Sequence, residues 1–412
     1  MPSRNPPVDK VGNTTRRDEA SDLQLAESPH LAVPVVSNNT NHSLGAEGGM
    51  EQDARKAQVP IKGRGSASRV PSRFDATTTV GVDDGWESIY EDLQELPRLR
   101  TQVTEERART VISRNNSPDV GFSASVNPYR GCEHGCVYCF ARPSHSYLSL
   151  SPGLDFETKL FAKINAAERL RNELSRPNYQ CAAIALGINT DGYQPIERSY
   201  QITRQCLELL AETRHPVSFV TKSALITRDI DLLAAMAKDR LVTVYFSVTT
   251  LDRKLSAKLE PRAAAPHARL RAMERLHKAG VPVGVLVAPV IPRITDHELE
   301  AILEEAHAHG ARAAGYVLLR LPNEIKDIWK EWLGLHYPDR AEHVLSLMRQ
   351  LHAGKEYDAA FGTRMRGTGP FADLLAQRFK KAHRSLGFEK LPPLNTQLFQ
   401  PPRELSPQGQ LF

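Results

Sequence analysis

The sequence predicts an α/β fold: an open, partial (β/α)6 barrel with a helical cap behind it and a disordered tail ahead of it. Three observations carry this. Between residues 116 and 321, short apolar runs alternate with amphipathic stretches of helical period, the pattern of right-handed βαβ units on a parallel sheet. Polar residues gather just after the apolar runs, where such folds carry their chemistry. Counting one strand ahead of a cysteine-rich loop, the units number six, fewer than the eight of a closed barrel.

The chain divides by composition. Residues 1–60 are rich in Asn, Ser, Pro and Gly, with almost no aromatics, and cannot bury enough apolar surface to offset the entropy of ordering. Residues 61–115 form a basic arm and lead-in, with Lys62, Arg64, Arg69 and Arg73 in the arm. The arm reads either as a solvated tail or as a strap that folds over the domain or touches phosphates. Residues 86–114 look partly helical. Residues 116–321 are the barrel, 322–391 the cap, and 392–412 a loose Pro- and Gln-rich tail.

Within the barrel the first strand is expected near residues 122–126, ahead of the cysteines. Leu160, Ile164, Ala167, Leu170 and Leu174 recur at helical spacing, so residues 157–174 read as one amphipathic helix. Further strands are expected at 182–186, 217–221, 241–248, 283–288 and 315–319. The intervening helices run from Ile202, over 229–238, over 267–279 stopped by Gly280, and over 296–309 stopped by Gly310. Cap helices follow at 324–335, 342–352 and 371–386. Between the last two, Arg364 and Arg366 lie among small residues.

In its 412 residues the chain carries a net charge of +5, with 41% hydrophobic and 25% charged residues, as in a soluble globular protein. There is no apolar run near 18 residues and no signal-peptide core, so no membrane partner is expected and residence is expected to be cytoplasmic. The mild basicity permits a polyanionic partner without arguing strongly for one.

Three of the five cysteines, Cys132, Cys136 and Cys139, stand in the spacing C-x3-C-x2-C, with Tyr138 directly before the third. In a reducing compartment such a cluster reads as metal ligation. A structural zinc site wants four ligands. Cys181 is distant and precedes a buried strand, and neither His134 nor His145 sits at a usual spacing. A chance cluster in the core fits poorly with Glu133, His134, Gly135 and Arg142 around it. An iron–sulfur cubane is the reading adopted, because three thiolates leave one iron open for a substrate or cofactor. Gly131 and Gly135 let the loop wrap tightly.

With these residues in view, the chain resembles the radical S-adenosylmethionine superfamily. More narrowly, NPYRGCEHGCVYCFARPSH, GINTDGYQPIER, TKSALITRD, SVTTLD, KLEPR, APVIP and LRLPNEI resemble an uncharacterised branch akin to spore photoproduct lyase. The resemblance implies a lyase-like enzyme with a radical-SAM-type barrel and a [4Fe-4S] cluster on the three cysteines. It also implies S-adenosylmethionine, cleaved by one electron to a 5′-deoxyadenosyl radical that abstracts hydrogen from a substrate. An electron donor such as flavodoxin or ferredoxin is implied as a partner. Carried onto this chain, Gly187, Asn189 and Asp191 should meet the methionine amino group. Ser247 and Thr249 should meet the ribose or carboxylate, Lys222 the carboxylate, and Ala288-Pro289 the adenine. Tyr138 should pack against whatever binds. Each has an ordinary alternative, such as capping the next helix.

The relative's hydrogen-donating cysteine aligns with Ile188, so Tyr193 or Tyr316 is a substitute donor, or the reaction differs. Cys181 and Cys206 read as small buried hydrophobes. No catalytic residue is assigned. Arg64, Arg69, Arg73, Arg364 and Arg366 offer a phosphate path, which keeps a nucleic-acid lesion open as substrate. The alternative function is an iron–sulfur electron carrier or redox sensor without cofactor cleavage. The polar row at the strand ends favours the enzyme.

Overall fold

A computed structural model describes residues 60–75 and 99–402. The expected tail up to residue 59, the part of the lead-in around Trp86, and residues 403–412 lie outside them. The strands in chain order are β1 (Gln102–Glu106), β2 (Ile112–Arg114), β3 (Ala124–Val126), β4 (Tyr129–Arg130), β5 (Lys159–Lys163), β6 (Ile184–Leu186), β7 (Val217–Thr221), β8 (Val242–Val248), β9 (Val283–Val290) and β10 (Ala313–Leu318). Seven form one sheet in the order β10-β9-β8-β7-β6-β3-β2. Its six strands from β3 to β10 run parallel, and β2 closes the edge antiparallel. These are the six expected βα units.

Parallel strands covered by helices read as near-continuous apolar runs because both faces lie close to protein. Here the two faces still differ. Phe219, Val244, Val285 and Val287 share one face through the register and are 2% exposed or less, beneath the helices. Val220, Tyr245, Leu286 and Gly315 share the other, partly open face, which lines the barrel interior. Ser247, paired with Leu286, belongs to that inner face.

Three expectations are corrected. Residues 157–174 are not one helix. A short helix, Leu154–Thr158, leads into β5, and a helix resumes at Ala166–Leu174. β5 pairs in parallel with β1 and antiparallel with β4, so Leu160 and Ala162 are buried by strand alternation. The lead-in is not helical where described, since β1 and β2 occupy it. Nor is the end of the chain loose up to residue 402. The Asn395 and Gln400 amides donate to the Arg240 and Thr213 carbonyls, and Phe399 packs its ring 5.2 Å from His215.

The basic arm folds back as a strap. The Arg64 guanidinium donates to the Glu157 and Leu99 carbonyls, and the Gly65 and Ser66 amides each donate at 2.9 Å to the Glu157 carboxylate. Arg64 is only 7% exposed. A solvated tail is excluded for these residues. The cap helices are Ile325–His336, Pro338–Leu351 and Pro370–Ser385. Among the described residues, no helix is long and apolar enough to cross a membrane.

Candidate functional site

The loop after β3, beyond the short β4 within it, carries the three cysteines at the C-terminal end of the sheet. Cys132 and Cys136 are buried and Cys139 partly so, all as free thiols. Burial pushes all three thiols up, and each of Cys136 and Cys139 adds to the effect on Cys132. As thiolates they call for a strongly positive partner, which metal ions supply. Among the described residues no set of His, Cys, Asp or Glu side chains is arranged for a single metal ion. A cubane, whose thiolates each take a different iron, suits this donor set better than zinc does. His134 turns to Asp191, Nδ1 to Oδ2 at 3.4 Å, and the Nε2 of His145 lies 2.9 Å from the Lys159 carbonyl.

The back of the loop is fixed by buried polar contacts. Arg142, fully buried, donates to the carbonyls of Cys136 at 2.8 Å, Gly135 at 3.1 Å and Gly153 at 2.7 Å, and pairs with Glu157 at 2.9 Å. Glu157 in turn accepts from the strap. Gly135 has φ +67°, and a Cβ there would sit 2.4 Å from Glu157 Oε2. One at Gly65 would sit 1.8 Å from the Gly135 oxygen, so strap and loop meet backbone to backbone. The Gln194 side chain accepts from the Glu133 amide at 2.9 Å and donates to the Gly131 carbonyl at 3.1 Å.

On the inner side, Tyr138 joins the loop to the strand ends. Its hydroxyl donates to Glu260 and lies 3.0 Å from Thr249 Oγ1. Lys222 Nζ donates to Ser247 Oγ at 2.5 Å and to the Ala288 carbonyl at 3.2 Å, and stands 3.5 Å from Glu260. Ser247 and Thr249 each donate to the same Ala288 carbonyl at 2.9 Å. Arg269 pairs with Glu260 and donates to the Ser247 carbonyl at 2.8 Å. Burial pushes the Glu260 carboxyl up, but Arg269 and Lys222 outweigh it and hold the pKa at about 2. Thus Lys222, Ser247 and Thr249 converge on the Ala288 carbonyl, and Tyr138 joins them to the cysteine loop through Thr249 and Glu260.

The turn after β6 is arranged differently. Gly187 has φ +71°. The Asp191 carboxylate accepts from Thr221 Oγ1 at 2.8 Å, the Lys222 amide at 2.8 Å and the Tyr193 amide at 2.9 Å, tying this turn to the end of β7. Asn189 is exposed, with its amide on Asn127 Oδ1.

Sequence reasoning missed Glu260, Arg269, Glu157 and Gln194. The first lies in the KLEPR segment, whose acid next to a proline was the available signal. The substitute hydrogen donors are corrected. Tyr193 is 1% exposed with its ring 5.7 Å from Phe219, and Tyr316 packs 4.8 Å from Phe379, both on the helix-covered face. The expected phosphate path is corrected too. Arg64 is buried on backbone carbonyls, Arg69 pairs with Asp155, Arg73 with Glu324, and Arg364 with Asp119. Arg366 stacks over Tyr316 at 4.2 Å, away from the barrel interior. Cys206 is fully buried as expected, whereas Cys181, also expected to be buried, is partly exposed.

A family model described as Radical SAM superfamily matches residues 126–306. An uncharacterized protein of Mycobacterium tuberculosis is 37% identical over 237 residues, 57% of this chain and 70% of that protein. A Pseudomonas phage M6 protein described as Radical SAM Nalpha-GlyT isomerase is 26% identical over 180 residues, 43% of this chain and 35% of that protein. Spore photoproduct lyase complexed with dinucleoside spore photoproduct has a similar fold. The TM-score is 0.50 at 16% identity, over 69% of this chain and 80% of that one.

Proposed function

The chain belongs to the radical SAM superfamily, and from that premise we propose that Cys132, Cys136 and Cys139 hold its [4Fe-4S] cluster. Enzymes of this superfamily use that cluster and S-adenosylmethionine. When bound, the cluster supplies one electron that splits the cofactor to methionine and a 5′-deoxyadenosyl radical, which takes hydrogen from the substrate.

This chain's own residues do the placing. Arg142 and Glu157 hold the loop from behind, so the thiols present in one arrangement. Lys222 lies at the inner side with Nζ shared between Ser247 and the Ala288 carbonyl, and its charge suits the methionine carboxylate. Ser247 and Thr249 offer hydroxyls for the same carboxylate or the ribose. Tyr138 turns its ring toward Lys222, 5.7 Å from Nζ, and closes that wall. Gly187, Asn189 and Asp191 sit at the neighbouring strand end, where Asn189 is free to reach the amino group and Asp191 braces the turn. A flavodoxin- or ferredoxin-like donor provides the electron. A nucleic-acid lesion, the substrate class kept open, draws no support from the five arginines once expected to line it.

The observation that carries the reading is the convergence of Lys222, Ser247 and Thr249 on the Ala288 carbonyl, with Tyr138 tying Thr249 to the cysteine loop. An electron carrier has no use for that row. Anaerobically reconstituted protein should absorb at ~400 nm as cysteine-held clusters do, and Lys222→Met should raise the Kd for S-adenosylmethionine about tenfold. Bound zinc in place of iron, or an unchanged Kd, would remove the support.

A further inference from the structure

Arg320 stands two residues past β10, and Phe140 directly follows Cys139 in the loop after β3. These strands are the first and last parallel members of the sheet, with four others between them. Yet the Arg320 guanidinium carbon lies 5.8 Å from the centre of the Phe140 ring. The sheet therefore curls until those two strand ends face each other, and Arg320 spans the mouth of the open barrel beside the cysteine loop.

Four other arginines of the fold end on carboxylates: Arg142 on Glu157, Arg269 on Glu260, Arg73 on Glu324, Arg364 on Asp119. Arg320 does not. Its polar partner among the described residues is the Tyr357 hydroxyl, to which it donates at 3.3 Å. Its Nε is closed off from solvent without an acceptor. His352, 2% exposed, packs its ring 6.2 Å from the Tyr357 ring. A guanidinium fork held by a ring face and a hydroxyl, with donors to spare, is built for an oxyanion. Phe140 keeps 48% of its surface exposed, so a ligand at the guanidinium also meets the ring.

We propose that Arg320, with Tyr357 and the face of Phe140, anchors an anionic group of the substrate, a phosphate or a carboxylate, at the mouth of the barrel. The assignment to substrate rests on the proposed cofactor site, which leaves Lys222 for the carboxylate of S-adenosylmethionine.

Phenylglyoxal labelling of the full chain, read site by site by mass spectrometry, tests this in chloride, inorganic phosphate, acetate and S-adenosylmethionine at matched ionic strength. Arg320 is expected to react in chloride and to react about tenfold more slowly once phosphate or acetate exceeds its Kd tenfold. Arg366 should be unaffected. Whichever anion protects names the group. The same anion should raise the Tm of the wild type and of Lys222→Met, and not that of Arg320→Met. An Arg320 inert in chloride, or as reactive in phosphate and in acetate as in chloride, overturns the site. Protection by S-adenosylmethionine alone assigns the anion to the cofactor and overturns the substrate reading. The labelling needs neither cluster nor reductant, so its failure leaves cofactor cleavage untouched, and the reverse holds.

Discussion

The cysteine loop has a back and a mouth, and they are built on opposite principles. At the back, the central buried charges are matched. Arg142 and Glu157 are both fully buried, each serves several backbone groups, and the strap adds its own amides. At the mouth, Arg320 and Phe140 meet across a gap, with the Arg320 guanidinium on a hydroxyl and a ring face and on no carboxylate. A saturated network holds one geometry. An unsaturated one accepts a ligand. The difference separates the part of the site that must not move from the part that must recognise something.

The largest effect on this contrast is expected at the back. Arg142→Met leaves Glu157 buried without its cation and should cost about 3–5 kcal/mol. Urea unfolding measures the loss, and iron content after reconstitution should fall with it. An iron content like the wild type's would mean the loop needs no support from behind.

Glu260 gives the next effect, with a pH signature. Its pKa in the fold is about 2, below the ordinary carboxyl value of 4.5. The unfolded chain therefore takes up the proton first as pH falls. The stabilisation is present above about pH 5 and is lost as pH drops toward 2, on the order of 3 kcal/mol. Glu260→Gln should flatten that acid limb in denaturation profiles. An unchanged limb would place the dependence on other carboxyls.

Gly65→Val should push the strap off the loop, because the added atoms meet the Gly135 oxygen, at about 1–3 kcal/mol. Faster proteolysis between residues 60 and 75 reports it. The smallest effect is expected at the mouth. Arg320→Met should stay within about 0.5 kcal/mol of wild type, and a larger loss would make Arg320 structural and erase the contrast.

What the sequence made legible follows the same division. The six parallel strands were readable because buried strands are written as apolar runs, and 217–221 matched β7 to the residue. The thiolate spacing and the polar strand ends were readable because they are local. β5 was not, since Leu160 satisfies both a helical stripe and a strand alternation, and only pairing with β1 and β4 decides between them. The strap was equally opaque. Gly, Ser and Arg suggest solvent until a carboxylate some ninety residues later, Glu157, collects their amides. Arg320 and Phe140 lie still farther apart in the chain, and nothing local in either announces the other.

The proposed cofactor-cleaving site comprises the cysteine loop and the row beside it. Its most direct test is the 5′-deoxyadenosine formed by the anaerobic, reduced, full-length protein with S-adenosylmethionine. The expected result is product from the wild type and none from Cys132→Ala, Cys136→Ala or Cys139→Ala. Cys181→Ala and Cys206→Ala should keep the cluster and the product. An intact cluster under strong reductant that yields no 5′-deoxyadenosine would contradict the claim and leave the electron carrier in its place.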